Sequence, residues 1–354
     1  MAIRRLGQLS LADAVVVRHG RSGVKLDRIA GLIDWAPLEA LLRPIRSSPR
    51  GAPGYPPVMM LKALLLQQWF RLADEGLEDA LADRLSFRRF VGLALTDKPP
   101  DHSSIWRFRE ALQTLGLAEP VFAEVTRQIE AKGLLVKHGT MVDASFVEAE
   151  VKRPKRPKDE PPADPPAADA AVGAEDGAAT SGTEKPRAER APSKLVGSPH
   201  DPEASWARKG GRRYFGYKAH VGADQGSRII RKAKLTTAAV ADTTVFDELL
   251  SGDEAAVYAD AAYDKKARRA ALKARGVKDR IAHRGNKHHP ITARQKKRND
   301  GIGRRRYQIE QVFAFAKRGF GWTRVRYYGL KRNAVHLVLI CTALNLDRMA
   351  VLMR

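Results

Sequence analysis

Three carboxylates in this chain have the surroundings that divalent-metal chemistry needs. Asp143 closes a β-branched, apolar run in Met141-Val142-Asp143-Ala144-Ser145, and Asp260 closes a second in Val257-Tyr258-Ala259-Asp260-Ala261-Ala262-Tyr263. In an α/β sheet the carboxyl ends of strands face the ligand crevice, so both acids are predicted to stand there. Glu310 is the only acid in a segment marked by Arg304, Arg305, Arg306, Lys317 and Arg318. Their spacing puts Arg306, Glu310 and Lys317 on one helical face, beside an apolar stripe of Ile309, Val312 and Ala316. Mg2+ prefers oxygen ligands and keeps several waters, so one or two carboxylates per ion suffice when a substrate phosphate supplies the rest. Two ions about 4 Å apart would activate an attacking oxygen and stabilise the leaving 3′ oxygen of an in-line phosphodiester displacement. Taken singly, each acid also has an ordinary reading: Asp is common in turns at strand ends, and Glu310 could pair with Arg306 one turn away.

The charge of the chain points to a polyanionic partner. Across 354 residues, 63 Lys and Arg against 40 Asp and Glu give a formal charge of +23. Residues 264–332 hold 23 Lys or Arg and four acids, a surplus of 19 that is most of the total. The runs include Lys265-Lys266, Arg268-Arg269, Lys296-Lys297-Arg298 and Arg304-Arg305-Arg306. An isolated run reads as solvated surface. Four of one sign with few acids repel one another until a phosphate backbone, shedding its condensed counterions, relieves them. Lys296, Lys297 and Arg298 are therefore expected in a basic loop against DNA. The single cysteine, Cys341, forms no internal disulfide, and no charged stub with an apolar h-region opens the chain. The apolar runs Val58–Leu66 and Leu337–Leu346 fall short of the roughly 20 residues a membrane span needs. A cytoplasmic protein with no membrane partner is the expectation.

Helices are predicted over Pro57–Asp74 and Leu77–Leu85, after the caps Asp101-His102-Ser103-Ser104, and over Pro120–Lys132. This region reads either as a scaffold or as a DNA-binding or dimerising module, with Arg88, Arg89, Arg107 and Arg109 as phosphate contacts. Strands are predicted at Gly139–Val147, Arg213–Val221, Ile229–Leu235, Ala255–Ala259 and Val277–His283, and helices at Asp242–Leu250, Asp264–Arg275, Arg304–Lys317 and Asn333–Leu352. From Lys152 to Lys194 there is no aromatic residue and Pro, Ala, Asp, Glu and Lys dominate, a composition that cannot offset its own ordering entropy. The expected organisation is thus an all-α domain over 1–132, a mixed α/β domain from 133–150 plus 205–354, and a disordered insertion at 151–204.

At these motifs the chain resembles the DDE transposases of bacterial insertion sequences, most closely the group numbered five. Pro56-Pro57 through Trp69, Leu85–Phe90 and Pro100–Arg109 are similar to that group's N-terminal domain. Asp143-Ala144-Ser145 and Ala259–Tyr263 resemble its first two acidic motifs, and Tyr214-Phe215-Gly216-Tyr217-Lys218 its strand after the insertion. Arg306, Glu310 and Lys317 reproduce the spacing of the third motif. The resemblance implies an RNase H-like core, two Mg2+ ions with Mn2+ as a substitute, and cleavage at transposon ends followed by strand transfer. It implies Asp143, Asp260 and Glu310 as catalytic metal ligands, with Arg306 and Lys317 contacting phosphate or orienting Glu310; Lys296, Lys297 and Arg298 of the basic run, and Lys218, are expected as further DNA contacts. The partners would be double-stranded terminal inverted repeats and target DNA, bound by a homodimer or larger assembly at the bacterial nucleoid. One departure stands out: the fuller third motif carries a Tyr where this chain has Gly303, with Tyr307 as the nearest substitute. Rival readings are an RNase H-like host nuclease that cuts without joining, and a non-catalytic DNA-binding protein derived from a transposase.

Overall fold

The computed structural model describes residues 6–7, 21–45, 53–151, 198–209, 211–286 and 288–354. Its first part is helical: α1 (Arg21–Leu32), α2 (Ala36–Leu42), α3 (Pro57–Phe70), α4 (Asp74–Asp83), α5 (Leu85–Val91), α6 (His102–Thr114) and α7 (Ala118–Ala131). Pro57 opens α3, where its missing amide is not needed. Asp101 caps α6 by accepting the Ser104 amide at 2.7 Å, as its sequence predicts. The Phe87–Phe90 stretch, expected to follow a helix, forms one of its own, α5.

There follow β1 (Thr140–Glu148), β2 (Ser205–Lys209), β3 (Arg212–Asp224), β4 (Ile230–Thr237), β5 (Ala256–Ala259), α8 (Lys266–Ala274), β6 (Lys278–Ile281), α9 (Ala293–Gly319) and α10 (Leu330–Leu352). The strands form one mixed sheet in the order β2-β3-β1-β5-β6, with β4 also paired to β3. β3 runs antiparallel to β1, whereas β5 and β6 continue parallel to it. β3 is long enough to pair with β2 over its first half and with β4 over its second. Gly216 sits at the changeover with φ 151°, and a Cβ there would lie 2.4 Å from the Val147 carbonyl, so only glycine fits.

Alternate residues of the strands enter two cores. Met141, Tyr217, Ala219 and Tyr258 join a large cluster with α9, α10 and the N-terminal helices. Val142, Val257, Ala259 and Ile281 join a smaller one with Val245, Phe246, Leu249 and Leu272 of α8. The helices before residue 132 and the last helix therefore share one continuous core.

Four expectations change. Asp242–Leu250 is two separate 3-10 turns, Asp242–Thr244 and Asp247–Leu249; Arg268 takes the Thr243 carbonyl at 2.7 Å, and Val245, Phe246 and Leu249 are pinned into the smaller core. α9 begins eleven residues before the expected Arg304, because Thr292 and Gln295 form a capping box that starts the helix at Ala293. Lys296, Lys297 and Arg298 are thus helical rather than in a loop. α10 is buried nearly all round instead of amphipathic, since it lies between β4 and α1, α3, α6 and α7; it is long and apolar enough to cross a membrane, but 78% of that stretch is buried inside the protein. The last residues of the expected insertion are packed: Asp201 is fully buried, accepting the Tyr217 hydroxyl at 2.5 Å. The remainder of that expectation, including Lys152–Lys194, lies outside the described residues.

Candidate active site

β1 and β5 are paired through Thr140 with Val257 and Met141 with Tyr258. Carried forward two residues, the same register sets Asp143 beside Asp260, where backbone pairing has ended. Both lie on the face that carries Met141 and Tyr258, the face covered by α9. Each carboxylate is oriented by its own backbone. Asp143 Oδ1 accepts the Ala144 amide at 2.8 Å, and Asp260 Oδ1 accepts the Ala262 amide at 2.9 Å, capping the turn Ala261–Tyr263. The second oxygens are outside these backbone bonds. Asp143 Oδ2 takes Arg306 of α9 at 2.9 Å, and Asp260 Oδ2 has no hydrogen bond among the described residues.

Burial pushes the Asp143 carboxyl above the ordinary aspartate value. Arg306 opposes that shift without cancelling it, and the charge of Asp260 adds to it. The charge of Asp260 is therefore felt at Asp143. Beneath them Tyr263 is fully buried with no partner for its hydroxyl among the described residues, packed on Phe246 at 5.5 Å between centroids. Its ionisation is pushed far up, by burial first and then by Asp242, Asp143 and Asp260. Tyr263 is a neutral floor under the acids. Arg305 anchors α9 beside the site by donating to the Tyr258 hydroxyl at 2.8 Å.

Glu310 lies one turn beyond Arg306, exposed and without an ion pair among the described residues. Ile309, Val312, Phe313 and Ala316 bury the adjoining stripe, as the spacing predicts. Arg306, not Glu310, reaches Asp143. Among the described residues no three His, Cys, Asp or Glu side chains are grouped closely enough to hold a metal ion. The donor chemistry nevertheless fits a hard divalent cation: two carboxylates already fixed by one oxygen each, with a third on the helix bordering them.

Residues 140–346 match the family model described as Transposase DDE domain, and residues 15–111 match a second, described as Transposase domain (DUF772). The chain belongs to the DDE transposases. No solved structure matches it. The DDE domain of this transposase implies an RNase H-like fold, and its sheet, with antiparallel β3 and parallel β5 on either side of β1, is of that mixed kind.

The basic residues expected to contact DNA divide sharply. Lys296 and Lys297 are exposed on the first turns of α9, and Lys317 is half-buried near its end. Burial lowers the Lys317 ammonium, and the charge of Lys209 lowers it further. Arg298 turns inward, donating to the carbonyls of Ile281 and Asp279 at 2.8 Å each, and so braces the end of β6. Lys218 is buried on the opposite face of the sheet, where its ammonium meets the Val240 carbonyl and Asp242, each at 2.8 Å, above the Phe146 ring. A DNA contact by Lys218 is corrected accordingly: its donors are spent inside the fold. In the helical region Arg88 is buried and donates to the carbonyls of Leu81, Ala94, Leu95 and Asp97. Arg109 is buried against Asp74 and Gln67. Arg89 pairs with Asp27, and Arg107 is exposed. Gly303 sits exposed within α9, and Tyr307 is 57% exposed. Sequence reasoning passed over Tyr263, Arg305 and Lys209. For Lys209 the signal was present: Gly-Gly between two strand-like runs marks a tight hairpin.

Proposed function

We propose that this transposase cuts DNA at the ends of its own element and joins the freed 3′ ends to target DNA, using Asp143, Asp260 and Glu310. The observation that supports this most directly is the pair of aspartates held level on adjacent parallel strands, each with one oxygen fixed by its own backbone, beside basic α9 whose Arg306 meets Asp143. Divalent ions held by these three acids, two Mg2+ or Mn2+ in our reading, would lower the barrier to phosphodiester displacement by neutralising charge on both oxygens. The chain's own groups do the rest. Arg306 and Lys317 hold the phosphate at the α9 border, and Tyr263 closes the floor against water. In cleavage a water oxygen bonds to phosphorus as the bond to the 3′ oxygen breaks and that oxygen takes a proton. In joining, the 3′ hydroxyl oxygen attacks a target phosphodiester and displaces a second 3′ oxygen.

We further infer a place in the group numbered five from motif spacing, cytoplasmic action from the single cysteine, an N-terminal unit over 1–132 that helps to bind DNA or to dimerise, and a dimer or larger assembly because two ends must be paired. The test is a strand-transfer assay with Mg2+ and DNA ends taken from the sequence flanking the gene. Joined products are expected from the wild-type protein and none from Glu310→Gln. Cutting without joining would instead support the nuclease reading, and binding without either would support the non-catalytic one.

A further inference from the structure

From Ser205 to Ala223 the chain carries no acid. Within that stretch β2 and β3 form a hairpin that outruns its neighbour: β1 pairs with β3 as far as Gly216, and the Ala149 amide then donates to the Phe215 carbonyl at 3.0 Å. Beyond Phe215 three rungs, Ala207 with Tyr214, Arg208 with Arg213 and Lys209 with Arg212, stand as a two-stranded ribbon. At about 3.3 Å per residue, these rungs reach about 10 Å past the end of β1. The root is braced on both faces. Trp206 packs on Phe215 with centroids 5.1 Å apart, and on the other side Tyr214 stacks flat on Phe146 at 4.6 Å.

Alternation divides the cations of the ribbon between its two faces. Arg208 and Arg213 share the face of Phe215, Tyr217 and, through the β1 register, Asp143, whereas Lys209 and Arg212 share the face of Tyr214, Phe146 and Lys218. All four are exposed, and Lys209, Arg212 and Arg213 make no ion pair among the described residues. A flat anionic surface would answer one face and leave the other uncompensated. Negative charge on both sides of a thin blade is what a groove of duplex DNA offers, with a phosphate chain along each wall. The major groove, about 12 Å wide and about 8.5 Å deep, admits a two-stranded ribbon; the minor groove, about 6 Å wide, is too narrow for one with side chains on both faces. Gly210 and Gly211 at the turn carry no side chain to meet the groove floor.

We propose that the β2–β3 hairpin enters the major groove of the bound duplex tip first, with Arg208 and Arg213 on the phosphates of one wall and Lys209 and Arg212 on those of the other. The assignment rests on DNA being the partner and adds the part of the duplex that is gripped. Full-length protein with Lys209→Cys suits the test, because the other cysteine, Cys341, is buried. It is mixed with end DNA carrying one thiol tether at a time, on cytosine N4 in the major groove or on guanine N2 in the minor groove. Disulfides are expected with the major-groove tethers alone, over a few adjacent base pairs. Capture by the minor-groove tethers, or by neither kind, overturns the insertion. A second measurement compares the two faces. Arg212→Gln and Arg213→Gln should each reduce the slope of log affinity against log salt by about 0.9, and the double variant by about 1.8. A slope that changes for only one of them means that the hairpin lies flat on the DNA, and the insertion fails. If wild-type protein binds DNA and both results are obtained but it never cuts, the ribbon keeps its place while the transposition reading fails. If it cuts and joins while the slopes stay unchanged, only the insertion fails; if it binds no DNA, both fail.

Discussion

On the α9 side of the sheet Asp143 meets Arg306 at 2.9 Å, and on the opposite side Lys218 meets Asp242 at 2.8 Å. The chemistry is the same, but the settings differ. Asp143 and Arg306 come from a strand and a helix that meet at a crevice, and keep 16% and 15% of their side-chain surfaces in solvent. Lys218 keeps 9% and Asp242 27%, and the ammonium is also held by the Val240 carbonyl and the Phe146 ring. Burial still raises the Asp143 carboxyl in spite of Arg306. The Lys218 ammonium, by contrast, is answered from within the fold by Val240, Asp242 and Phe146. A buried ion pair thus marks a ligand site only where one partner is undercompensated and reachable; where partners surround it, the pair is framework.

That contrast can be broken at several points. The largest effect is expected at Asp143 of the open pair and at the two acids proposed to act with it: Asp143→Asn, Asp260→Asn and Glu310→Gln should each lower strand cleavage by at least about a thousandfold, equal to about 4 kcal/mol of lost charge stabilisation. DNA affinity measured by anisotropy should stay within about twofold of wild type, because the phosphate-binding cations remain. Strand transfer at the wild-type rate by any of them would remove that residue from the chemistry.

Next comes the closed pair. Lys218→Met leaves Asp242, 27% exposed, without its cation and the Val240 carbonyl without its donor, and should cost about 1 to 3 kcal/mol in urea unfolding. Adding Asp242→Leu should recover most of it. A loss under about 1 kcal/mol from Lys218→Met alone would show the pair to be no more than a surface contact.

Acid should act on the closed face too. His220 is fully buried, with one ring nitrogen 2.9 Å from Thr236 Oγ1. Burial lowers it from 6.5 to about 4, helped by Lys218 and Lys234 and opposed by Asp242 and Glu248. His336, donating to Gln68 Oε1 within the large core, is also held well below 6.5 by burial. A histidine whose folded value is depressed adds stability that is complete above the unfolded value and is lost as pH falls through the folded one. Stability should therefore fall between pH 6.5 and about 4, with up to about 3 kcal/mol traceable to His220. Urea midpoints across this range should flatten in His220→Gln; an unaltered profile would place the loss elsewhere.

The smallest effects separate outward from inward cations on one helix. Lys296→Gln and Lys297→Gln should each reduce the salt slope of DNA binding by up to about 0.9. Arg298→Gln should leave that slope alone and instead lower stability by about 1 to 2 kcal/mol, through two lost carbonyl bonds. A slope change from Arg298→Gln alone would reverse this division.

Much of the site was legible from local pattern. The Arg306, Glu310 and Lys317 spacing and the Ile309, Val312 and Ala316 stripe survive because a helix face is set by a fixed period. The Asp101 cap survives because a side chain three residues from its amide needs no tertiary partner. The start of α9 was missed because Gly301, Gly303 and the basic run masked the Thr292 and Gln295 box, which was nonetheless there to read. The inward cations were not legible. Whether Arg88, Arg109, Lys218 or Arg298 faces solvent depends on carbonyls and acids brought in from other elements, and a basic residue carries the same letter in either place. The family resemblance named the three acids, but not that Arg306 holds Asp143 while Glu310 stands exposed.

The last helix has a consequence for how the protein comes into being. α10 packs against α1, α3, α6, α7 and β4, and its Asn345 exchanges two hydrogen bonds with Ile230 at the start of β4, of 2.8 and 2.7 Å. During synthesis the N-terminal helices leave the ribosome long before residues 330–352, and until then the apolar surface that α10 will cover has no partner. Native folding is thereby deferred until residues 330–352 have been made. A chain cut short before Leu330 would expose that surface and be open to aggregation and proteolysis, so truncated copies of the gene are not expected to yield a folded competitor for DNA ends.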